Sequence, residues 1–228
     1  MKESGKDKMK KILSMSLLKT LIFNLKYFGL KGLKFPVLIS KSTKLKKISG
    51  KVILKRNKFK SILIGFGPIQ SSTVSEKGCW YNTGTIYFDE EAHLYSGFFI
   101  YNNGFLKLGK NFRIGASKIF CEKKIEVGDD VMISWDCILM DSDLHDIVDF
   151  DGKKVNWDKE IFIGNHVWVG FGCSLLKGTV LPNNTIVASS SHISTELKEI
   201  NCIYGNYGKK IKENVDWKWE LTKDNYKL

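Results

Sequence analysis

The chain has 228 residues, of which 43% are hydrophobic and 12% aromatic. This length and composition suit one sizeable domain with a buried core and exclude a wholly disordered chain. The net charge of +12 comes from one region, since residues 1–60 contain 18 basic and 2 acidic residues and the remainder contains 18 and 22. So basic a segment can contact anionic lipid, a phosphate-bearing glycolipid or nucleic acid, or form a solvated lysine-rich surface.

The cysteine pattern and the absence of a long apolar run bear on location. The five cysteines are scattered, without CxxC or metal-finger spacing, which favours free thiols in a reducing cytoplasm. No run of 18 or more apolar residues occurs, so no transmembrane helix is predicted. Lysine accounts for 17 of the first 60 residues and arginine for one, which fits a membrane surface better than base recognition. We expect a cytoplasmic protein that binds no nucleic acid, with contact of residues 1–60 at the inner face of the membrane left open.

The first predicted element is an amphipathic helix over residues 11–29. Apolar residues recur at spacings of three and four, at Ile12, Leu13, Leu17, Leu18, Leu21, Ile22, Leu25 and Phe28. Gly29 and Gly32 are placed to end the helix, and Pro36 prevents its continuation. Residues 1–36 are thus predicted to be a basic, partly helical extension.

Short apolar runs follow Pro36 and predict strands at residues 37–39, 52–54 and 61–64. Residues 65–82 are rich in Gly, Ser and Thr, which predicts a loop or irregular coil. A β-rich domain is therefore expected to begin directly after the extension.

A six-residue period appears from Leu106 onward. The apolar residues at this spacing are Leu108, Ile114 and Phe120, then, after one inserted residue, Val127, Ile133 and Leu139, and after a break Ile163, Val169, Leu175, Leu181, Val187 and Ile193. The residue that follows is small at Gly109, Gly115, Gly128, Ser134, Gly164, Gly170 and Ala188. Such hexads place an apolar residue inside a coiled prism and a small residue at each corner, where a large side chain would clash with the next coil. We predict a β-helix domain over residues 37–212 and a C-terminal tail over residues 213–228.

Three segments of the chain stand out: residues 163–178 (IGNHVWVGFGCSLLKG), 133–145 (ISWDCILMDSDLH) and 204–209 (YGNYGK). They resemble segments of bacterial hexapeptide-repeat acetyltransferases that modify sugars of capsules, O-antigens and exopolysaccharides. Residues 163–178 are similar to the signature coil of that family. Residues 133–145 resemble the segment that ends in its catalytic histidine. Residues 204–209 occupy the place of a Gly-x-Pro-Ala-Lys type motif, with Tyr207 where proline is usual. The resemblance covers about residues 86–212.

The resemblance implies an all-β, left-handed parallel β-helix that assembles as a homotrimer with active sites between neighbouring subunits. It also implies transfer of an acetyl group from acetyl-CoA, as co-substrate, to a hydroxyl of a sugar or glycan precursor. Residues 141–160 interrupt the hexads, and such insertions often carry the binding face of a solenoid. We therefore predict a catalytic loop there.

His145, in this loop, is the predicted general base. A sugar hydroxyl is a poor nucleophile at neutral pH, and an imidazole can take its proton as it attacks. If the segment is extended, Asp141, Asp143 and His145 share one side. Either carboxylate can then orient the ring, and the other can bind the sugar.

The resemblance assigns further residues to the acceptor and the donor. The expected acceptor-site residues, near the oxyanion, are Ser134, Trp135 and Asp136. The expected CoA-binding residues are Gly170, Phe171 and Ser189 along pantetheine, Ser194 and Thr195 further on, and Lys209 and Lys212 near the nucleotide. No metal is expected, because the closest two histidines are 21 residues apart and a zinc site of this fold needs a close pair.

Two other functions stay open. A transferase of the same fold can act on the amino group of an amino sugar or amino acid, which would tolerate a weaker base. The chain can also be a non-catalytic β-helix that binds a membrane through its basic N-terminus.

Overall fold

The computed structural model describes residues 13–67 and 77–219. Helix α1 (Leu17–Phe28) leads into a 3-10 helix at Gly29–Lys34, and a second 3-10 turn lies at Asn206–Gly208. The strands are β1 (Val37–Ile39), β2 (Lys44–Ile48), β3 (Lys51–Leu54), β4 (Ile62–Phe66), β5 (Cys79–Asn82), β6 (Thr85–Phe88), β7 (Ala92–Tyr95), β8 (Phe99–Asn102), β9 (Phe105–Leu108), β10 (Phe112–Ile114), β11 (Lys118–Cys121), β12 (Lys124–Val127), β13 (Met132–Ile133), β14 (Ile138–Met140), β15 (Ile161–Ile163), β16 (Trp168–Val169), β17 (Ser174–Leu176), β18 (Val180–Leu181), β19 (Thr185–Val187), β20 (His192–Ile193), β21 (Cys202–Tyr204) and β22 (Lys210–Glu213).

Three sheets arise because each strand pairs with the strand one coil later in the chain. Sheet one contains β1, β4, β7, β10, β13, β16, β19, β21 and β22; sheet two contains β2, β5, β8, β11, β14, β17 and β20; sheet three contains β3, β6, β9, β12, β15 and β18. Among the described strands, all pairs are parallel except β21 with β22. The chain therefore winds around three faces with one strand on each face per coil. The predicted all-β, left-handed parallel β-helix with a helical N-terminal extension is confirmed.

The residues at hexad spacing form the core of this prism. All of the predicted inward residues from Leu108 to Ile193 are buried except Phe120. In β11, Ile119 and Cys121 point inward, so Phe120 points outward. The prediction for Phe120 was wrong because the turn before β11 is one residue shorter than in the next coil, where Ile133 and Leu139 pair with Ile114 and Ile119. A shift of one residue reverses the face of a side chain.

The corner positions hold small residues for the predicted reason, which is steric exclusion by the next coil. A Cβ on Gly109 would lie 2.2 Å from the carbonyl oxygen of Gly128 in the next coil. A Cβ on Gly128 would lie 2.8 Å from the backbone of Gly164, and one on Gly170 would lie 2.8 Å from the backbone nitrogen of Ser189. Successive coils therefore approach closely enough at these corners to exclude larger side chains.

The predicted helix is interrupted, since Leu13 and Ser14 are helical but Met15 and Ser16 are not. Helix α1 begins at Leu17 because the Ser16 hydroxyl accepts a hydrogen bond from the Lys19 backbone nitrogen at 3.4 Å, which caps the first turn. It ends at Gly29, whose φ of 56° is in the left-handed region. Residues 11 and 12 lie outside the described residues. Within the described ranges no helix has the length and apolarity needed to span a bilayer.

The predicted loop over residues 65–82 was wrong at both ends. Strand β4 continues to Phe66, and Cys79–Asn82 forms β5. Gly65 lies at a bulge with a φ of 79°, where a Cβ would come within 2.1 Å of the Thr43 hydroxyl oxygen. This glycine therefore belongs to an irregular strand rather than to a turn, and residues 68–76 lie outside the described residues.

After β22 the chain returns over the outer face of sheet one. The Trp217 ring stacks on the His166 ring at 4.7 Å, and its indole N–H donates to the His166 carbonyl oxygen at 3.0 Å. Asp216 contacts the His166 ring nitrogen at 2.9 Å, and this bond lowers the pKa of the Asp216 carboxyl. The segment that contains Trp217 is thereby fixed to the coils that carry the predicted donor residues.

Candidate active site

The loop that separates β14 from β15 forms one wall of a groove of about 850 Å³. The opposite wall is the outer face of sheet two. The groove is lined by Lys46, Cys79, Tyr81, Phe99, Tyr101, Asn103, Phe120, Glu122, Ser142, Leu144, His145, Asp146, Lys154 and Asp158. His145 is thus positioned on the loop so that it faces a groove built from four earlier strands.

Aromatic side chains from three successive coils form the sheet-two wall of the groove. Tyr81 and Tyr101 stack at 4.6 Å with nearly parallel rings. Phe120 follows at 6.2 Å from Tyr101 and is also 5.2 Å from Phe99. Aromatic faces with nearby polar groups are suited to bind the apolar faces of sugar rings and to fix their hydroxyls.

Sequence reasoning missed this aromatic wall. A signal was present, because Tyr81-Asn82 and Tyr101-Asn102 recur one coil apart. The two asparagines point inward, and Asn102 donates to the side-chain oxygen of Asn82 at 2.7 Å. Their inward positions place the preceding tyrosines on the outer face, in register.

The His145 ring is exposed and makes no hydrogen bond to any of the described residues. Its backbone is held instead. The carbonyl oxygen accepts from the Asn156 side chain at 2.8 Å. The preceding residue, Leu144, has a φ of 59°, and its backbone N–H donates to the Ser142 hydroxyl at 3.0 Å. The loop therefore fixes the backbone of His145 and leaves its imidazole able to bind a proton donor.

Asp141 has a structural position in the core of the turn that leads into the loop. It is fully buried, and its carboxylate accepts the backbone N–H groups of Glu122, Lys123 and Lys124 at 2.8, 3.0 and 2.7 Å. Within the described chain this carboxylate does not bond to the His145 ring. It closes the corner of the preceding coil and anchors the start of the loop.

Asp143 fastens the loop to the coil that follows it. Its carboxylate accepts from the Lys177 ammonium and, at 2.7 Å, from the Asn156 side chain. The hydrogen bond from Lys177 and then that from Asn156 lower the pKa of the Asp143 carboxyl. Asn156 thus joins Asp143 to the His145 carbonyl, so Asp143 acts on the position of His145 through the backbone.

The predicted acceptor-site residues lie at the corner between β13 and β14, outside the groove. The Ser134 hydroxyl accepts from the Trp168 indole at 3.2 Å. Trp135 is partly exposed and packs against Phe171 at 5.6 Å. Asp136 has a φ of 58°, and its backbone nitrogen donates to Ala116. In a single chain these residues do not line the groove at His145, and their predicted role stays a prediction.

The predicted donor residues form two groups near the C-terminal end of the prism. Gly170, Phe171 and Ser189 share one corner column, where Phe171 is 38% exposed. Ser194, Thr195, Lys209 and Lys212 are exposed around the next corner and the final hairpin. Within the second group, the turn at Gly208 brings the final hairpin beside Thr195, since a Cβ there would lie 3.3 Å from the Thr195 methyl.

Among the described residues, none of the predicted donor residues lines the groove at His145. The described residues also contain no group of three or more His, Cys, Asp and Glu side chains arranged to hold a metal ion. The chain thus offers a groove with an imidazole on one surface and a basic, glycine-lined corner on another.

Comparisons with known proteins give a resemblance in sequence. The chain is 34% identical over 125 residues to a polysialic acid O-acetyltransferase of Escherichia coli O1:K1 / APEC, across 52% of this chain and 41% of the relative. It is 38% identical over 56 residues to a polysialic acid O-acetyltransferase of Neisseria meningitidis, across 24% of this chain and 26% of that protein. The chain thus spans less than half the length of these curated relatives.

A crystal structure of the polySia specific acetyltransferase NeuO matches with a TM-score of 0.45 at 23% identity, over 82% of this chain and 75% of the other. No family model matches. The two sequence relatives confirm the resemblance indicated by the sequence motifs: this chain is similar to bacterial polysialic acid O-acetyltransferases.

Proposed function

We propose that this chain transfers an acetyl group from acetyl-CoA to a hydroxyl of a sugar or glycan precursor, with His145 as the general base. The observation that carries the proposal is the position of His145. Its imidazole is exposed, without a hydrogen bond in the described chain, at a groove with an aromatic wall. The similarity to polysialic acid O-acetyltransferases supports a glycan acceptor.

The His145 imidazole accepts the proton of the acceptor hydroxyl while the sugar oxygen bonds to the carbonyl carbon of the thioester. The tetrahedral intermediate then collapses, the carbon–sulfur bond breaks, and the imidazolium returns the proton to the sulfur of CoA. Asp143 and Asn156 hold the backbone of the base, so that its ring keeps one position relative to the groove.

The aromatic wall favours an acceptor longer than one sugar. Adjacent coils are separated by about 4.8 Å, so the three-coil ladder from Tyr81 to Phe120 extends over about 10 Å. Polar groups of Asn103 and Glu122 lie beside this ladder and are bonded to each other at 3.0 Å. This surface supports binding of two or more sugar units of an oligosaccharide along sheet two.

The donor is assigned to the second surface. Lys209 and Lys212 are exposed and suited to the phosphates of CoA, and the corner at Gly170 and Ser189 is suited to its pantetheine arm. Because this surface lies apart from His145 in one chain, we propose that the complete site forms between neighbouring copies of a homotrimer.

Substitution of His145 by alanine tests the proposal. Release of free CoA from acetyl-CoA in the presence of an oligosaccharide acceptor should fall at least about 100-fold, the usual effect of losing a general base. The thermal unfolding midpoint should change little, since His145 is an exposed residue.

Phe150→Ala is the matched control, because Phe150 is a fully exposed residue of the same loop. It should leave turnover at the native rate. An unchanged rate for His145→Ala would remove His145 from the mechanism. If the protein acetylates an amino sugar faster than the sugar with a hydroxyl at the same position, the proposed O-acetyl transfer is wrong and N-acetyl transfer takes its place.

A further inference from the structure

Helix α1 exposes most of its apolar side chains to solvent, unlike an ordinary amphipathic helix on a protein surface. Its buried residues are Thr20, Phe23 and Asn24. By contrast, Leu17 and Leu18 are 73% and 67% exposed. Apolar residues of a surface helix normally pack on the core, because burial of apolar area is the main stabilising contribution.

Polar contacts hold the helix in this orientation. Asn24 donates to the Val37 carbonyl oxygen at 2.7 Å and accepts from the Val37 backbone nitrogen at 3.2 Å. The Thr20 hydroxyl accepts from the Ile39 backbone nitrogen at 3.1 Å. These bonds satisfy the otherwise unpaired edge of β1, so the apolar side of α1 cannot turn inward without breaking them.

The exposed apolar surface extends beyond α1. Its large apolar side chains, each at least 38% exposed, are Leu13, Leu17, Leu18, Leu21, Ile22, Leu25, Leu30, Leu33 and Phe59. An apolar groove of about 440 Å³ adjoins them between the helix and sheet one, with Phe35, Leu38 and Leu63 in its walls. A surface this apolar marks a binding face rather than ordinary exposure.

The charge around this surface has a single sign. Residues 13–67 contain 13 lysines and arginines and no acidic residue. Within the described chain only Lys55 and Arg56 of this set pair with carboxylates, those of Asp89 and Glu90. The Lys19 ammonium donates to the carbonyl oxygens of Lys41 and Thr43, both at 2.7 Å. The surface therefore keeps an excess of positive charge that no carboxylate of the described residues neutralises.

We propose that the apolar face of α1, together with the adjoining groove and lysines, docks this protein on an anionic phospholipid membrane. The helix lies in the plane of the interface with its leucines among the acyl chains, as lysine-flanked amphipathic helices do. The groove between α1 and sheet one accepts an acyl chain, and the lysines contact the lipid phosphates. This inference does not depend on the proposed acetyl transfer.

Charge favours lipid over a second copy of the chain as the occupant. Two copies that met through this face would bring two acid-free basic surfaces together, which is repulsive. Docking through α1 would also serve the proposed reaction. Lys46 of β2, in the first coil beside the helix, lines the acceptor groove, so that groove would open close to the membrane surface.

Flotation of the full chain with vesicles tests the proposal. Binding is expected to phosphatidylcholine vesicles that contain phosphatidylglycerol, at low salt, and not to phosphatidylcholine alone. Leu18→Gln with Ile22→Gln should weaken binding about 100-fold, because two aliphatic side chains that would be partly buried in the membrane are lost. Glutamine is a good helix former, so α1 itself should be kept. Lys26→Gln with Lys31→Gln should weaken it about 25-fold and reduce its dependence on salt.

Two matched pairs serve as controls. Ile200→Gln with Ile211→Gln changes equally exposed aliphatic residues at the far end of the prism, and Lys198→Gln with Lys218→Gln removes the same charge from exposed residues outside the surface around α1. Both should bind like the native chain. Binding unaffected by the α1 substitutions overturns the proposal, as does no binding to the anionic vesicles.

Light scattering of the same variants separates lipid from self-association. If Leu18→Gln with Ile22→Gln changes the number of copies per particle, the face joins copies of the chain and the membrane assignment is wrong. If Leu18→Gln with Ile22→Gln unfolds the protein, vesicle binding of Lys26→Gln with Lys31→Gln tests the proposal instead, because exposed lysines can be changed without loss of the fold.

Discussion

Asp141 and His145 are four residues apart, yet their side chains have opposite surroundings. The Asp141 carboxylate is buried among three backbone N–H groups, and the His145 ring is exposed at the groove. The expectation that Asp141, Asp143 and His145 share one side assumed an extended segment. The left-handed φ at Leu144 breaks that alternation directly before the histidine.

We predict that Asp141→Ala lowers the free energy of unfolding by about 3 kcal/mol or more. Three backbone donors would lose a charged acceptor, and each such bond contributes about 1.5–3 kcal/mol. Urea denaturation measures this loss. Asp141→Asn should recover part of it, since one side-chain oxygen remains.

Asp151→Ala is the control for Asp141, because Asp151 is an exposed aspartate of the same loop. A loss of less than about 1 kcal/mol in Asp141→Ala would show that the buried carboxylate does not anchor the loop.

At the level of elements, the loop over residues 141–160 is fastened by one cluster. Asp143, Asn156 and Lys177 join its start, its end and the corner after β17. Much of the loop between them is exposed, including Phe150 and Trp157. The position of the proposed base therefore depends on a few polar contacts rather than on a packed core.

We predict that Asp143→Asn increases the rate of amide hydrogen exchange over residues 144–156 about tenfold. Without the ion pair between Asp143 and Lys177, the loop should open locally more often. Mass spectrometry of exchanged peptides measures the effect. Asp151→Asn should leave exchange unchanged, and equal protection in both variants would contradict the role of Asp143.

The same cluster sets a pH dependence. Hydrogen bonds from Lys177 and Asn156 lower the pKa of the Asp143 carboxyl, so their contribution is complete above the ordinary value of about 3.9. The contribution of these hydrogen bonds is lost as the pH falls through the lowered pKa of Asp143 in the folded protein. Protection of the loop, corrected for intrinsic exchange, should thus hold from neutral pH to about pH 5 and fall only below about pH 4.

At the level of the whole molecule, the proposed acceptor groove and donor corner lie on different parts of one prism. The groove reaches from Lys46 in the first coil to the loop after β14, whereas Lys209 and Lys212 lie at the opposite end. A rigid β-helix cannot bend to bring them together. Assembly of neighbouring copies is the arrangement that unites them in the proposed mechanism.

We predict that two inactive variants restore activity when mixed. His145→Ala lacks the base, and Lys209→Glu with Lys212→Glu repels the donor phosphates. If each site takes its base and its donor surface from different copies, equal amounts unfolded and refolded together should give about one quarter of native activity. His145→Ala refolded alone provides the baseline, and a mixture no more active than that baseline would exclude a shared site.

The sequence by itself determined the β-helix, the inward residues other than Phe120, and the corner glycines. These features are local and repeat with each coil, so a period of six residues is enough to reveal them, as at Val169 and Gly170. It also identified the loop and His145, through a segment similar to known transferases.

Only the tertiary structure decided the rest. Tyr81, Tyr101 and Phe120 meet because strands about 20 residues apart stack in register, and a turn that is one residue shorter before β11 determines the side of Phe120. The orientation of α1 depends on Thr20 and Asn24 bonding to the edge of β1, which outweighs the apolar pattern of the helix. These outcomes depend on which surfaces meet after folding, and hydrophobic periodicity along the chain contains no information about that.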